Sequence, residues 1–521
     1  MSHEAFQQAI FNEPDDDALR LIYADWLDEN NEPLWAEYIR LQCDLAASTP
    51  ASDRFVNLSE REEELTILLT DRIHTAPLTI DADELGLASI SFPSWSRGFP
   101  DSIRLEQLEP YDTDAEQMNR ICDRLETLIP QSTIQHFYFD DFHPDLIEVL
   151  FERDVLKLAR SLTLDWFFDH VEDVELEDRA DVQAEHIAQA PQLSQLRSLH
   201  LDCILSDRGL QALAKSSCLT SLENLNLWTS ASPVGLKDLA DSPLAQRLRC
   251  LILSEDWLDN QGVEALSQTS WPRLHSLDLS YSSVREDTIR ALGQSNAFPN
   301  LAFLNLGLAR SLSTALGDLL KNDSWKLRML DLAHSDLGSR DAQLLARSPL
   351  LKNVHTLSLR GNVIGIQGIR ALAKSPHLSQ LRRLDLAYND WDGNKLLALT
   401  KGELCQHLTT LQLQSSQAHL PFTEGNAFIK ALELPQIRHL MLTGNSLGAR
   451  GVKTLVEKDW FQNIRMLNLR TCRIGKAGAE ALLEALDPEK MVYLNVSDND
   501  LPTKIRERFV DRLGEHRVIV D

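Results

Sequence analysis

At 521 residues the chain is longer than one ordinary core can organise, so it is either several domains or an elongated repeat array. Its 43% hydrophobic and 25% charged residues are ordinary for a globular protein and exclude disorder throughout. The net charge of −27 is unevenly placed: residues 1–195 hold 43 Asp and Glu against 13 Lys and Arg, and the remainder hold 35 against 38. An acidic field of this kind repels nucleic acid and anionic membranes, and it keeps a long chain soluble and monomeric.

The start, "MSHEAFQQAIFNEPDDD", has neither a basic region nor a continuous apolar one, and no stretch of about eighteen apolar residues occurs, so a cytoplasmic protein is expected. Cys43, Cys122, Cys203, Cys218, Cys250, Cys405 and Cys472 are odd in number and form no C-x-x-C pair. They read as small apolar residues rather than as a disulfide framework or a zinc site.

The chain opens with helical patterns. In "PDDDALRLIYADWLDEN", Leu19, Ile22, Tyr23 and Trp26 recur at helical spacing, and Asp15, Asp16 and Asp17 sit where the helix dipole favours negative charge. In "EPLWAEYIRLQCDLAAS", Pro33 suits a first turn, and Trp35, Tyr38, Ile39 and Leu45 form the matching stripe. Asp25 has no matched histidine, nucleophile or metal spacing beside it. The expected role is therefore structural, a pair between Asp25 and Arg40 that orients the two helices. The residues "RLIYADWLDE", Pro33, Glu37 and "IRLQCDLA" resemble the repeat-companion domain found beside repeats in planctomycete proteins. That resemblance implies an association with repeats and no reaction.

Farther on, "RGFPDSIRL" (Arg97–Leu105) reads as the first strand of a repeat array, and "IQHFYF" from Ile134 and "ARSLTL" from Ala159 as degenerate repeat strands. From Leu196 the frame L-x-x-L-x-L is regular: "LRSLHL" (Leu196), "LRMLDL" (Leu327), "LRRLDL" (Leu381), "IRHLML" (Ile437) and "MVYLNV" (Met491) are among twelve frames whose starts differ by 26 to 29 residues. In "LSLRGNVIGIQGIRALAKSPHL" a period of two gives way to 3.6, so a unit is a short strand followed by a helix. One unit cannot bury its apolar face alone; stacked units can.

These frames resemble leucine-rich repeats, specifically the long strand-plus-helix subtype of ribonuclease inhibitor and the Ran GTPase-activating protein. The family's turn asparagine falls on Asn362, Asn389, Asn445 and Asn499, with Cys472 as its cysteine variant, and elsewhere on Ile204, Ser230, Asp256, Ser282, Ala309, Ser335 and Ser416. The expected architecture is α/β: a leucine-rich repeat solenoid, with a parallel concave sheet and outer helices, preceded by a small α-helical domain. The expected divisions are a helical repeat-companion domain over 1–75, divergent repeats over 90–195, about twelve repeats over 196–500, and a cap over 501–521 in which Ile505, Phe509 and Leu513 share one helix face.

Motifs for chemistry are weak. "RIGKAGAE" (Arg473–Glu480) lacks the spacing of a phosphate loop, "DDFHPD" (Asp140–Asp145) has no second ligand cluster, and no H-E-x-x-H, G-x-S-x-G or G-x-G-x-x-G occurs. No catalytic residue, cofactor or metal is expected. What remains is the inner sheet surface, where residues between and just after the frame leucines face outward. Trp228, Tyr281, His334, Arg360, Arg383, Tyr388, His439, Arg470 and Tyr493 occupy such positions, and aromatic residues and arginine are the usual anchors of protein interfaces. The expectation is a non-catalytic scaffold that binds a protein partner on the concave face, with Arg360, Arg383 and Arg470 placed to meet acidic groups. The alternative implied by the resemblance is a regulator of an enzyme, GTPase-activating or inhibitor-like.

Overall fold

The computed structural model describes residues 2–48, 53–69, 82–85, 87–107, 115–142, 144–165, 173–254, 260–282, 285–309, 311–415 and 422–521. They form two compact units, Met1–Asp278 with Ala297–Asn300, and Leu279–Asn296 with Leu301–Asp521.

The first unit begins with four helices, α1 (His3–Asn12), α2 (Asp17–Glu29), α3 (Pro33–Ala47) and α4 (Asp53–Leu68). Ser2 and Asp16 accept from the free N–H groups of Ala5 and Ala18 and so start α1 and α2, while Pro33 opens α3. Their core holds Ile10, Tyr23, Ala24, Leu27, Trp35, Ala36, Tyr38 and Ile39. The stripe expected on α2 is rotated. Its buried residues are Arg20, Tyr23, Ala24 and Leu27, while Trp26 lies partly buried at the edge and Ile22 is 54% exposed. The spacing is helical as expected, but the aromatic residues do not mark its centre, and an arginine occupies a core position. Residues 70–75 of the expected helical domain, like Asp256 and Ser416 of the turn positions, lie outside the described residues.

A hairpin of β2 (Trp95–Ser96) and β3 (Phe99–Pro100) packs on these helices. Its two turn residues, Arg97 and Gly98, both have positive φ, 53° and 82°, as tight hairpin turns require. A Cβ on Gly98 would stand 2.2 Å from Ile39 Cγ1, so only glycine lets the turn sit this low. Gly98 N–H donates to Gln42 Oε1 at 2.7 Å, and Trp95 meets Trp35 edge-on at 5.5 Å.

Strand β1 (Leu87–Ser91) pairs antiparallel with β4 (Ser102–Gln107). From β4 a parallel ladder runs through β5 (His136–Asp140), β6 (Ser161–Asp165), β7 (Ser198–Leu205), β8 (Asn224–Thr229), β9 (Cys250–Ser254) and β10 (Ser276–Asp278). Inward residues such as Phe137, Leu162, Leu199 and Leu251 are fully buried. Helices between the strands bury one face against them, as Met118, Ile121, Cys122 and Leu125 do in Ala115–Leu128.

In the second unit the parallel strands are β11 (Phe303–Asn305), β12 (Met329–Asp331), β13 (Thr356–Ser358), β14 (Arg383–Asp385), β15 (Thr410–Gln412), β16 (His439–Met441), β17 (Met466–Asn468), β18 (Tyr493–Asn495) and β19 (Val518–Ile519). The helix Thr503–Leu513 buries Ile505, Phe509 and Leu513.

The turn after each strand is where the repeats lock. Asn389 is fully buried; its amide donates to Leu386 O at 3.1 Å and to Leu359 O of the preceding repeat at 2.8 Å, and its carbonyl accepts from Ile364 N–H at 3.2 Å. Asn362, Asn445 and Asn499 repeat the bridge to Leu332, Leu413 and Leu469 at 2.9, 2.7 and 2.8 Å. Cys472 Sγ and Ser335 Oγ each donate once to the preceding repeat, to Leu442 O and Leu306 O. One residue earlier the backbone turns left-handed, at Tyr281, Leu308, His334, Gly361, Tyr388, Gly444, Thr471 and Asp498. That twist aims each N–H at the neighbouring repeat: Tyr281 to Gly307 O, Leu308 to Ala333 O, His334 to Arg360 O, Gly361 to Ala387 O.

Candidate binding surface

The sheet face that carries the non-leucine positions is built from three rows of side chains. In the second unit the middle row is largely spent on its own backbone. Asp331, Asp385, Asn468 and Asn495 accept from the N–H groups of Ala333, Ala387, Arg470 and Ser497 two residues on, at 2.8 to 3.0 Å. A recurring Asp or Asn inside L-x-L is therefore a turn brace, a role that the sequence pattern alone does not reveal.

The left-handed turn positions carry the exposed groups. Tyr281 is 65% exposed and His334 is exposed; Leu308 and Tyr388 are half-buried. The His334 ring lies across Gly361, whose absent Cβ would stand 2.1 Å from Nδ1. Arg360 rests on the Tyr388 ring, 4.5 Å from its centroid, and reaches Asp385 Oδ2 at 3.5 Å. Arg470 Nε meets Asp498 Oδ2 at 2.6 Å, with more than half of its side chain exposed.

Two expectations change here. Arg360 and Arg470 each have a carboxylate neighbour, so their charge is balanced locally instead of being held ready for an acidic partner. His439, expected to face solvent on the inner sheet surface, is 1% exposed; its strand neighbours Thr410 and Met466 are buried too, and Thr410 Oγ1 approaches its Nδ1 at 3.5 Å. Arg383 is half-buried between Thr356 and Thr410, and Tyr493 is half-buried with its hydroxyl accepting from Asn495 Nδ2 at 3.4 Å.

In the first unit Trp228 is 37% exposed on β8. The same face holds a row of carboxylates that the sequence alone does not assemble, because it appears only once the register is known: Glu106, Asp140, Asp165 and Asp202 stand side by side on β4 to β7. Burial, and then Asp202, Asp140 and Asp141, push the Asp165 carboxyl up to about 6; Asp140 and Asp202 are raised as well, chiefly by burial. A carboxyl raised in the folded state adds stability that is fully present below its unfolded pKa of 3.8 and is lost as pH rises through about 6. Asp165→Asn is therefore expected to stabilise the protein at pH 7 by about 1 kcal/mol, after discounting for its partial exposure, and to change stability little at pH 3.5. Urea unfolding of both proteins at the two pH values reads this directly.

Arg40 donates to Asp25 Oδ1 at 2.7 Å and also meets Asp28 Oδ2 at 2.7 Å, joining α3 to α2. The pair lies at the surface, with the Asp25 side chain 74% exposed, so its contribution is on the order of 0.5 kcal/mol. Burial pushes the thiols of Cys43, Cys405 and Cys472 up to about 12, which leaves them unreactive near neutral pH.

Another pattern whose meaning emerges only from the structure is the arginine at the second frame position. Arg328, Arg382 and Arg465 donate to Asn353 O, His407 O and Lys490 O, in each case the carbonyl just before the next frame, at 3.5, 3.4 and 3.1 Å. These arginines tie the sheet edge together.

A family model described as a leucine-rich repeat matches residues 462–483, which span β17 and most of the helix Gly475–Ala485. No curated protein matches the sequence. Among solved structures, the complex of Rad7 and Elc1 from yeast aligns at 18% identity over 77% of this chain and 93% of that chain, with a TM-score of 0.43. A Bacteroides fragilis protein aligns at 14% identity over 55% of this chain and 89% of that one, with a TM-score of 0.37. The matched segment, the regular frame and the parallel strand-and-helix units together show an α/β fold of the leucine-rich repeat type.

Proposed function

We propose that the protein is a non-catalytic scaffold and that the second unit binds a protein partner along the turn stripe of Tyr281, Leu308, His334 and Tyr388. The observation that carries this reading is the choice of residue at the left-handed positions. Glycine is the residue that adopts this backbone freely, and it stands at Gly361 and Gly444, yet Tyr281 and His334 accept the strain with exposed rings that fill no core. Side chains kept at a cost to folding, on turns that a rigid repeat stack holds in register, suit an interface anchor. Arg360, already stacked on Tyr388, loses little freedom on contact. The partner suited to this stripe offers apolar and hydrogen-bonding groups rather than a dense acidic patch, since Asp385 and Asp498 already answer the arginines.

The bridging asparagines and the strand-plus-helix unit support placement in the ribonuclease-inhibitor-like subtype, and α2 and α3 carry the residues that resemble the repeat-companion domain. No described helix is long and apolar enough to cross a membrane. The test is affinity capture from cell extract, with wild type beside a Tyr281→Ala, His334→Ala, Tyr388→Ala variant whose melting temperature is checked. A partner held by wild type and released at least tenfold more readily by the folded variant supports the stripe; equal retention by both refutes it.

A further inference from the structure

The first residue of "RLIYADWLDE" has a chemistry that the packing of α2 does not use. Arg20 is 2% exposed, yet its guanidinium meets no carboxylate within ion-pair distance among the described residues; it lies 5.7 Å from the Phe99 ring centroid and makes one long hydrogen bond to Asp16 O at 3.5 Å. Its Nε has no acceptor among the described residues. Burial and then Arg97 pull its pKa down. Asp17 and Asp15 offset this only from beyond ion-pair distance, and a buried cation held in no direct ion pair is costly.

Arg20 lines a cavity of about 560 Å³, which lies wholly within the first unit. Three more arginines line the same cavity. Arg97 is aimed there by the strained hairpin turn, with φ of 53°, and Arg160 and Arg197 stand at the second frame position of successive repeats. Arg160 follows the edge pattern, donating to Gln195 O at 3.4 Å. Arg197 makes no side-chain hydrogen bond or ion pair among the described residues, although it occupies the same frame position. Asp17 answers Arg97 from one side, its Oδ1 lying 2.9 Å from Nε. Asp15 touches the cluster only loosely, 3.5 Å from Arg160 and 3.9 Å from Arg97, against the 2.7 to 2.9 Å of a well-made charged hydrogen bond. Asp101 and Glu223 also line the cavity, but Asp101 already accepts from Ser94 Oγ at 2.6 Å.

We propose that this cavity is a binding site for an oxyanion, the phosphate or carboxylate group of a small ligand, received by Arg20, Arg97 and Arg197, with Asp15 holding the place loosely until the ligand arrives. Planar guanidinium groups present paired donors that match both oxyanions. The site is separate from the turn stripe of the second unit and does not depend on it. The N-terminal helices thereby acquire a role in binding, because α2 and the hairpin bring two arginines to the edge of the repeats, where two more are waiting.

The test is titration calorimetry of the full chain with inorganic phosphate and, separately, with acetate, ionic strength being held constant with sodium chloride. Wild type is expected to bind one of the two saturably: phosphate alone assigns a phosphate-bearing ligand, acetate alone a carboxylate-bearing one. Arg197→Gln, an exposed change that leaves the core intact, is expected to weaken that binding about tenfold. Arg249→Gln, at the same frame position but outside the cavity, is expected to bind as wild type does. Saturable binding of neither anion, or equal affinity in wild type and Arg197→Gln, overturns the proposal.

Discussion

Replacing Asn389 with alanine is expected to lower the stability of the second unit by about 3 kcal/mol, more than most single substitutions in the chain. The side chain is fully buried and joins two repeats: its amide donates to Leu359 O, Leu386 O and Ala387 O at 2.8, 3.1 and 3.3 Å, and its carbonyl accepts from Ile364 N–H at 3.2 Å. Alanine leaves the Ile364 N–H sealed from water without its acceptor, at about 1 to 3 kcal/mol, and takes one donor from each of Leu359 O, Leu386 O and Ala387 O, which keep Asn362 Nδ2, Trp391 Nε1 and Gly361 N–H. Asn389→Asp is equally informative. It keeps the shape but turns the donor into a buried anion facing carbonyl oxygens, so it is expected to destabilise at least as strongly. Ser335→Ala, which removes a single hydroxyl bridge at the equivalent position, is expected to cost about 1 kcal/mol. Thermal melts of the three variants provide the comparison. Asn389→Ala melting within 2 °C of wild type would contradict this account of the turn, since about 3 kcal/mol in a unit of this size corresponds to roughly 6 to 12 °C.

The second large effect is a contrast between two glycines at the same turn position. Gly444 and Gly361 both lie in the left-handed region, at φ of 78° and 65°. Adding a methyl group strains either backbone by about 1 kcal/mol, a strain that Thr471 and Tyr388 already tolerate at this position. The neighbours differ. At Gly444 the new Cβ would stand 2.3 Å from Ser415 O, part of a backbone that cannot withdraw without breaking the ladder, in which Ser415 N–H donates to Thr443 O. At Gly361 it would meet the His334 ring at 2.1 Å, and a side chain can rotate away. Gly444→Ala is therefore expected to cost about 3 kcal/mol and Gly361→Ala about 1 kcal/mol. Urea midpoints measure both; equal shifts would show that backbone strain alone, and not close approach, sets the requirement for glycine.

The repeat was legible because its signal is periodic and redundant: frames such as "LRRLDL" place Leu381, Leu384 and Leu386 inward whatever stands between them. The bridging asparagines were legible through the resemblance to leucine-rich repeats, since spacing alone puts them on a turn without assigning their bonds. The surface was less so. Whether a residue between frame leucines is exposed depends on its neighbours across the sheet, and these are known only from the register; His439 is shielded by Thr410 and Met466, each more than 25 residues away in sequence. Recurring Asp and Asn inside the strands, as at Asp331 and Asp385, and arginine at the second frame position were visible as patterns, but each resembles an exposed charge until its backbone partner is located. Arg20 was hidden by its setting: among "LIYADWL" the aromatic residues drew the stripe one step away from the face that is actually buried.

The proposed stripe can be tested on the side chains themselves, since tyrosine, histidine and leucine all react readily with hydroxyl radicals. Footprinting of the second unit, free and with its captured partner bound, is expected to show Tyr281 and His334 strongly oxidised in the free protein and at least several-fold protected in the complex, together with Leu308 and Tyr388. Unchanged oxidation at these four residues, with protection confined to exposed positions of the outer helices such as Arg450 on Gly448–Val456, would contradict the central claim that the turn stripe is the recognition surface.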